Sequence, residues 1–282
     1  MNTSKYSVEK MLAKAFQFDV DRYERNDRIP EVLFRMKQGE VNREQLTQII
    51  SVRYQAAHFF EDMLRRIVEV VNCRQHRRPQ RWPLIDTGTS TALCEAATVN
   101  LAEELGQMAE YGGPHREGRE VFLTALGIDY VTWKAKLGTY ENMGELDPAA
   151  RFLVNRMRWI IELGPVEALV ALWYYENRIS MDHMQGDYHI LLHAFETAFP
   201  EFKRPNGKYV EGDPLWHIAS HADHDEHHAQ LAKDALVKVE EIPLVFESIE
   251  NGVLETRKAV DFFWCLLSER HFGSFQLWRS LA

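Results

Sequence analysis

Residues 216–231 read WHIASHADHDEHHAQL, and within them His221, Asp225 and His228 stand at i, i+4 and i+7. At 100° per residue these three fall within about 60° of one another on an α-helix, so one face presents two imidazoles around a carboxylate. A folded helix seldom gives three polar residues to one stripe unless they hold something. Mixed nitrogen and oxygen donors of this kind suit Fe, Mn or Zn. The plainer alternative is a solvated, His-rich polar face. His217 lies one turn before His221 on the same stripe and is expected to support the ligands from behind. His224 shares the face of Asp225 as an alternative ligand, and His227 points away.

A metal face on one helix needs other helices to complete it, and the rest of the chain reads as helix. Residues 7–21 are amphipathic behind Ser7, and Pro30 opens a short helix to Lys37 that Gly39 stops. Asn42 with Gln45 three residues on predicts a capped helix over 43–71. Residues 72–88, rich in Pro and Arg, form a connection. Helix resumes over 90–106 until Gly112, Gly113 and Pro114 break it, and covers 115–126 up to Gly127. Further helices are expected over 147–163, from 165 to about 179 or on to 198, and over 243–267. Asp213-Pro214, closing a turn-rich loop over 200–214, is read as the cap of the His-rich helix. Hairpin signals and internal repeats are absent. The expectation is one all-α domain over 1–282, a bundle of seven to nine helices.

Three more acids and one histidine are candidates to meet the His-rich face. Glu103 and Glu104 sit in a helix whose Leu93, Ala97, Leu101 and Leu105 face the core, and His115 follows the Gly-Gly-Pro break. Such a break can swing His115 back toward Glu104; alternatively the two acids are surface residues and His115 merely starts a helix. Glu176 ends a run from Ala168 without a charge, which marks a largely buried helix where a carboxylate must find a partner. An arginine would serve as that partner, but the His-rich face also demands carboxylates, and a ligand role is favoured. Glu167, nine residues earlier, lies about 180° away and faces elsewhere.

Composition narrows the function classes. The 282 residues are 45% hydrophobic and 27% charged with a net charge of −9, so no whole-chain basic field argues for nucleic acid. The one dense basic run, RQHRRPQR over 74–81, reads as a solvated loop. Cys73, Cys94 and Cys265 are odd in number and widely spaced, as expected of reduced thiols in the cytoplasm. Residues 1–16 lack the pattern of a secretory leader, and no run of 18 apolar residues suggests a membrane span. Glu-x-x-His pairs, used by ferritin-like diiron bundles, do not occur, nor does His-Glu-x-x-His.

Taken together, Asn100-Leu-x-Glu-Glu-Leu-Gly, His115 followed by Phe122-Leu-x-x-Leu-Gly, Glu176, and His221-x-x-x-Asp225-x-x-His228 resemble the haem-oxygenase-like diiron oxidases and oxygenases. The resemblance spans about 40–235. It implies a haem-oxygenase-like bundle in which Glu104, His115, Glu176, His221, Asp225 and His228, from three core helices, hold two irons that react with O2. The expected substrate is a small molecule, an amino acid or other nitrogen-containing metabolite. Fatty-acid oxidative decarboxylation is the nearest rival on the same scaffold. A thiaminase-type hydrolase with Cys94 as nucleophile, or a metal-free binding protein, are the other readings. An external electron donor and a homodimer are compatible with the resemblance; nucleic acid and membrane are not expected partners.

Two departures from the family pattern stand out. The Glu104–His115 gap is slightly long, so Glu103 is an alternative ligand. The Glu176–His221 connection is also long, which implies an enlarged lid or pocket wall. His58, Trp173 and Tyr174, with Phe59 and Phe60, are candidate pocket walls or simply core.

Overall fold

The computed structural model describes residues 7–27, 29–72, 87–108, 113–181, 185–239 and 245–274; inside its helices the side chains at 72, 87–90, 92 and 223–226 lie outside that set. The basic run at 74–81, Cys73 and Gly112 therefore also lie outside the described residues. The described residues form twelve α-helices: α1 (Val8–Glu24), α2 (Glu31–Lys37), α3 (Arg43–Ala57), α4 (Phe60–Asn72), α5 (Thr87–Glu104), α6 (His115–Ala125), α7 (Tyr130–Ala135), α8 (Pro148–Ile161), α9 (Pro165–Ser180), α10 (Asp187–Ala198), α11 (Trp216–Val237) and α12 (Val245–Phe272). None of the helices searched is long and apolar enough to cross a membrane.

Local signals set most of the starts. The Ser7 hydroxyl accepts from the Lys10 N–H, and Asn42 and Gln45 close a reciprocal capping box on α3. Asp147 caps α8 through the Ala149 N–H, and Pro165 opens α9. Asp213 does not do what its position suggested. The carboxylate accepts from the Val210 N–H and pairs with Arg204, while α11 starts behind Leu215 without a side-chain cap. The Asp213 backbone carbonyl accepts from the Trp216 N–H, so the residue serves the helix start through its main chain while its carboxylate serves the loop.

The helix count exceeds seven to nine for the same kind of reason. The stretch expected as one helix over 43–71 breaks at His58-Phe59, where Phe59 drops into the core and Phe60 stacks on Tyr175. The stretch over 165–198 divides at Met181, whose extended backbone redirects the chain into α10. No Pro or Gly marks His58-Phe59; side-chain packing overrides local propensity there.

Helix α9 runs through the centre, and every residue in it except Asn177 is buried. It packs against α11, α12 and α8, with α4, α5 and α10 completing the surround. One side of α9 faces an ionic lattice rather than oil. Arg178 bonds Asp187 of α10 and Asp261 of α12; Arg22 of α1 bonds Asp19 and Asp261; Arg257 of α12 bonds Asp19. Tyr174 donates to Asp19 in the same lattice. Three arginines and three aspartates thus tie α1, α9, α10 and α12 together. Glu176, about 200° around the helix from Tyr174, is turned the other way.

Candidate metal centre

The opposite side of α9 meets the ends of α5 and α6 and the first half of α11. Asn100, Glu103 and Glu104 follow the i, i+3, i+4 spacing of one helical face, and all three are buried at the end of α5. Gly106 then takes φ +67, which reverses the chain. Pro114 leads into α6, and His115 is the first residue of that helix. Gly118 decides how closely α6 approaches α11: a Cβ there would lie 2.9 Å from the Trp216 ring and from the His217 Cβ. That contact brings the His115 ring to 4.4 Å from the His221 ring, centre to centre.

Two linked groups of donors result. In the first, the Glu104 Oε1 lies 3.1 Å from the His115 Nδ1 and 3.7 Å from the His221 Nε2. Arg119 donates to the other Glu104 oxygen at 3.4 Å and lies 3.6 Å from Glu61. His217 joins this group, since one ring nitrogen from each of His115, His217 and His221 falls within 4.8 Å of the others. The His217 Nδ1 pairs with the Tyr54 hydroxyl at 2.9 Å. In the second group, the His228 Nε2 lies 2.5 Å from the Glu103 Oε2. The His115 Nε2, 3.9 Å from the other Glu103 oxygen, stands between the groups. Glu176 accepts from the Asn100 amide at 3.1 Å, one turn back along α5.

The electrostatics separate the histidines. Burial, reinforced by neighbouring His115 and Arg119, pushes His221 and His217 well below the ordinary imidazole range, so both are neutral at pH 7. Neutral imidazole is the form that binds a metal. Burial also opposes charge on His115, yet the Glu104 carboxylate holds it above the ordinary value. Glu104 in turn is held far below the usual carboxylate range, because His115, Arg119 and His221 outweigh the cost of burying its charge.

The donor set fits a transition metal. The Nε2 atoms of His115 and His217 are buried and have no hydrogen-bond partner among the described residues. Buried polar atoms are normally satisfied, and two bare imidazole nitrogens, that of His115 3.9 Å from a Glu103 oxygen, are what mixed nitrogen and oxygen coordination requires.

Four helices, not three, supply the predicted ligands, because the break before Pro114 makes His115 the start of a separate helix. Of those residues, Glu104, His115 and His221 converge; His228 meets Glu103, and Glu176 stands one turn away. Glu103 and Glu104 had been alternatives, yet both are buried in the cluster, since α5 ends wedged between α6 and α11. His217, expected behind the ligands, lies among them. Asp225 and His224 fall in α11, but their side chains lie outside the described residues. His227 is exposed as expected.

The remaining candidates scatter. Tyr174 belongs to the ionic lattice and does not line this site. Trp173 is buried on α9, and His58 is part-buried with its ring edge-on to Phe59. Burial, with Arg119 and Lys134 nearby, lowers His58 to about 4. Cys94 is half-buried with its thiol pushed up by burial, the reverse of an activated nucleophile. The long connection before His221, expected as an enlarged lid or pocket wall, includes α10, whose Tyr188 packs 5.4 Å from the His221 ring. Tyr54, Tyr188 and Arg119 were not foreseen. Only Arg119, four residues after His115 on α6, carried a readable signal.

No family model and no curated protein matches the chain. Among solved structures, a CADD-like protein of unknown function from Nostoc punctiforme aligns with a TM-score of 0.62. The alignment covers 93% of this chain and 97% of that one, at 12% identity. The two share a fold. The chain is an all-helical bundle like that CADD-like protein, and its buried histidine and glutamate cluster could hold a metal.

Proposed function

We propose that the chain is an O2-dependent oxidoreductase with two iron ions in the α5–α6–α9–α11 cluster, acting on a small metabolite. The observation that carries this reading is the buried group of His115, His217 and His221, two of which, His115 and His221, meet Glu104, with His228 and Glu103 as an adjoining pair. Glu104, His115 and His221 would hold one ion. His228 and Glu103 would serve the other, with Asp225 one turn before His228 and Glu176 as further oxygen donors. Bound iron would supply the electrons that reduce O2. The chain's own residues do the rest. Arg119 balances the Glu104 charge, Tyr54 fixes the His217 ring through Nδ1, and Tyr188 and Trp216 cover the histidines and keep water out.

The substrate class favoured is an amino acid or related nitrogen-containing metabolite, with a fatty acid as the rival. An external electron donor, a homodimeric state and a cytoplasmic location belong to the same proposal. A mononuclear centre on His115, His217, His221 and Glu104 is the second reading, favoured by the mutual proximity of the three rings.

Anaerobic reconstitution with Fe(II) tests both. Close to two irons per chain, followed by O2 uptake, supports the dinuclear oxidase. One tightly held ion selects the second reading, and no bound metal refutes both. Mass spectrometry of products from amino-acid and medium-chain fatty-acid panels then separates the substrate classes.

A further inference from the structure

Among the described residues, four arginines are buried: Arg22, Arg53, Arg119 and Arg178. Three of them sit against carboxylates: Arg22 on Asp19 and Asp261, Arg119 on Glu104 and Glu61, Arg178 on Asp187 and Asp261. Arg53 does not. It is 3% exposed on α3, and among the described residues it has no ion pair and its Nη1 has no hydrogen-bond partner. Its contacts are the rings of Tyr175 and Tyr188, each 5.3 Å from the guanidinium carbon. Cation–π contact offsets part of the cost of burying a charge, but it leaves in-plane N–H groups unmet. The nearest acid by field is Asp187, and its oxygens are already held by Arg178, Tyr23 and Trp264.

Arg53 also lies beside the candidate metal centre. Tyr188 bridges the two, touching the guanidinium on one side and standing 5.4 Å from the His221 ring on the other. Tyr175 immediately precedes Glu176 in sequence, and Tyr54, next to Arg53, holds His217. A buried guanidinium that no carboxylate pairs is costly, and a counter-ion brought by a ligand would offset that cost. The planar fork matches a carboxylate in two parallel hydrogen bonds.

We infer that Arg53 is the residue that binds the carboxylate of a small substrate, amino acids included, and so places the rest of that molecule beside the histidine cluster. This rests on the metal-centre reading for its purpose, though the anion site itself is testable without metal. A fatty acid would satisfy the same fork, so the carboxylate is the shared chemistry, and the amino-acid and fatty-acid product panels described above distinguish the two.

The experiment uses acetate and glycine as probes, acetamide and glycinamide as neutral matches, and chloride as a generic anion. Binding to the full chain, metal-free and Zn(II)-loaded, is followed by saturation-transfer NMR and thermal shift in the wild type, Arg53→Lys and Arg53→Met. Acetate and glycine should bind the wild type in preference to the amides and chloride, weaken at least about tenfold in Arg53→Met, and weaken less in Arg53→Lys. Without ligand, Arg53→Met should melt at or above the wild type, because it removes a buried charge that no carboxylate pairs. The inference is overturned by any of three results: acetate binding that survives Arg53→Met, chloride binding as well as acetate, or an unfolded Arg53→Met variant, which would mean the fold itself uses the charge. Metal content should be equal in wild type and Arg53→Met. If neither holds metal, the metal-centre reading fails while the acetate comparison still decides the role of Arg53.

Discussion

Gly118 sets how closely α6 approaches α11 at the candidate site, and Gly118→Ala tests it. The added Cβ would stand 2.9 Å from the Trp216 ring carbons and the His217 Cβ, where ordinary contact begins at 3.4 Å. Helix α6 must therefore shift from α11 by about half an ångström, the difference between those two distances. Overpacking of this kind costs about 1–3 kcal/mol, and the Gly-to-Ala change in a helix returns about 0.5–1 kcal/mol. The net expectation is a loss of about 1 kcal/mol, or roughly 2–4 °C in melting temperature. The site should suffer more than the fold, because the shift moves His115 and Arg119 away from His221 and Glu104. Metal titration monitored by calorimetry should show weaker binding by about tenfold. Gly252→Ala is the control: its Cβ would meet Val170 at 2.8 Å on the α12 side of α9, so it should lower stability and leave metal affinity unchanged. Wild-type metal affinity in Gly118→Ala would refute the claim that this contact sets the ligand geometry.

Three further outcomes follow from the same structure. His58 is lowered from 6.5 to about 4 in the folded protein, so the unfolded chain binds the extra proton between those values. Its stabilisation is present above pH 6.5 and falls away toward pH 4, by up to about 3 kcal/mol; urea unfolding across this range should be less pH-dependent in His58→Gln, and an unchanged slope would refute the assignment. Arg178→Met should cost about 3–5 kcal/mol, since Asp187 and Asp261 lose a buried counter-charge; a loss below about 1 kcal/mol would show that the lattice does not depend on it. Tyr54→Phe removes the hydroxyl 2.9 Å from the His217 Nδ1 and should weaken metal binding about tenfold with the circular dichroism unchanged; unaltered affinity would take His217 out of the site.

What the chain determines by itself is whatever acts over three or four residues. Ser7, Asn42, Asp147 and Pro165 start helices where their own side chains or rings reach the next turn, and these starts are read directly. The His221–Asp225–His228 spacing and the uncharged run before Glu176 are equally local, which is why the His-rich helix and the buried α9 were legible. Tertiary packing decided the rest. The break at His58-Phe59 has no turn residue, only a phenylalanine with a better place in the core. Glu103 meets His228 across 125 residues and Tyr54 meets His217 across 163, separations at which no periodicity carries information. Glu103 and Glu104 were alternatives on an isolated helix, where neighbours diverge by 100°. Wedged between α6 and α11, both sides of that helix end are interior, so both acids enter the cluster. Arg53 looks like any other arginine in the sequence; it stands out because, among the described residues, the other buried arginines each meet a carboxylate and Arg53 meets two tyrosine rings.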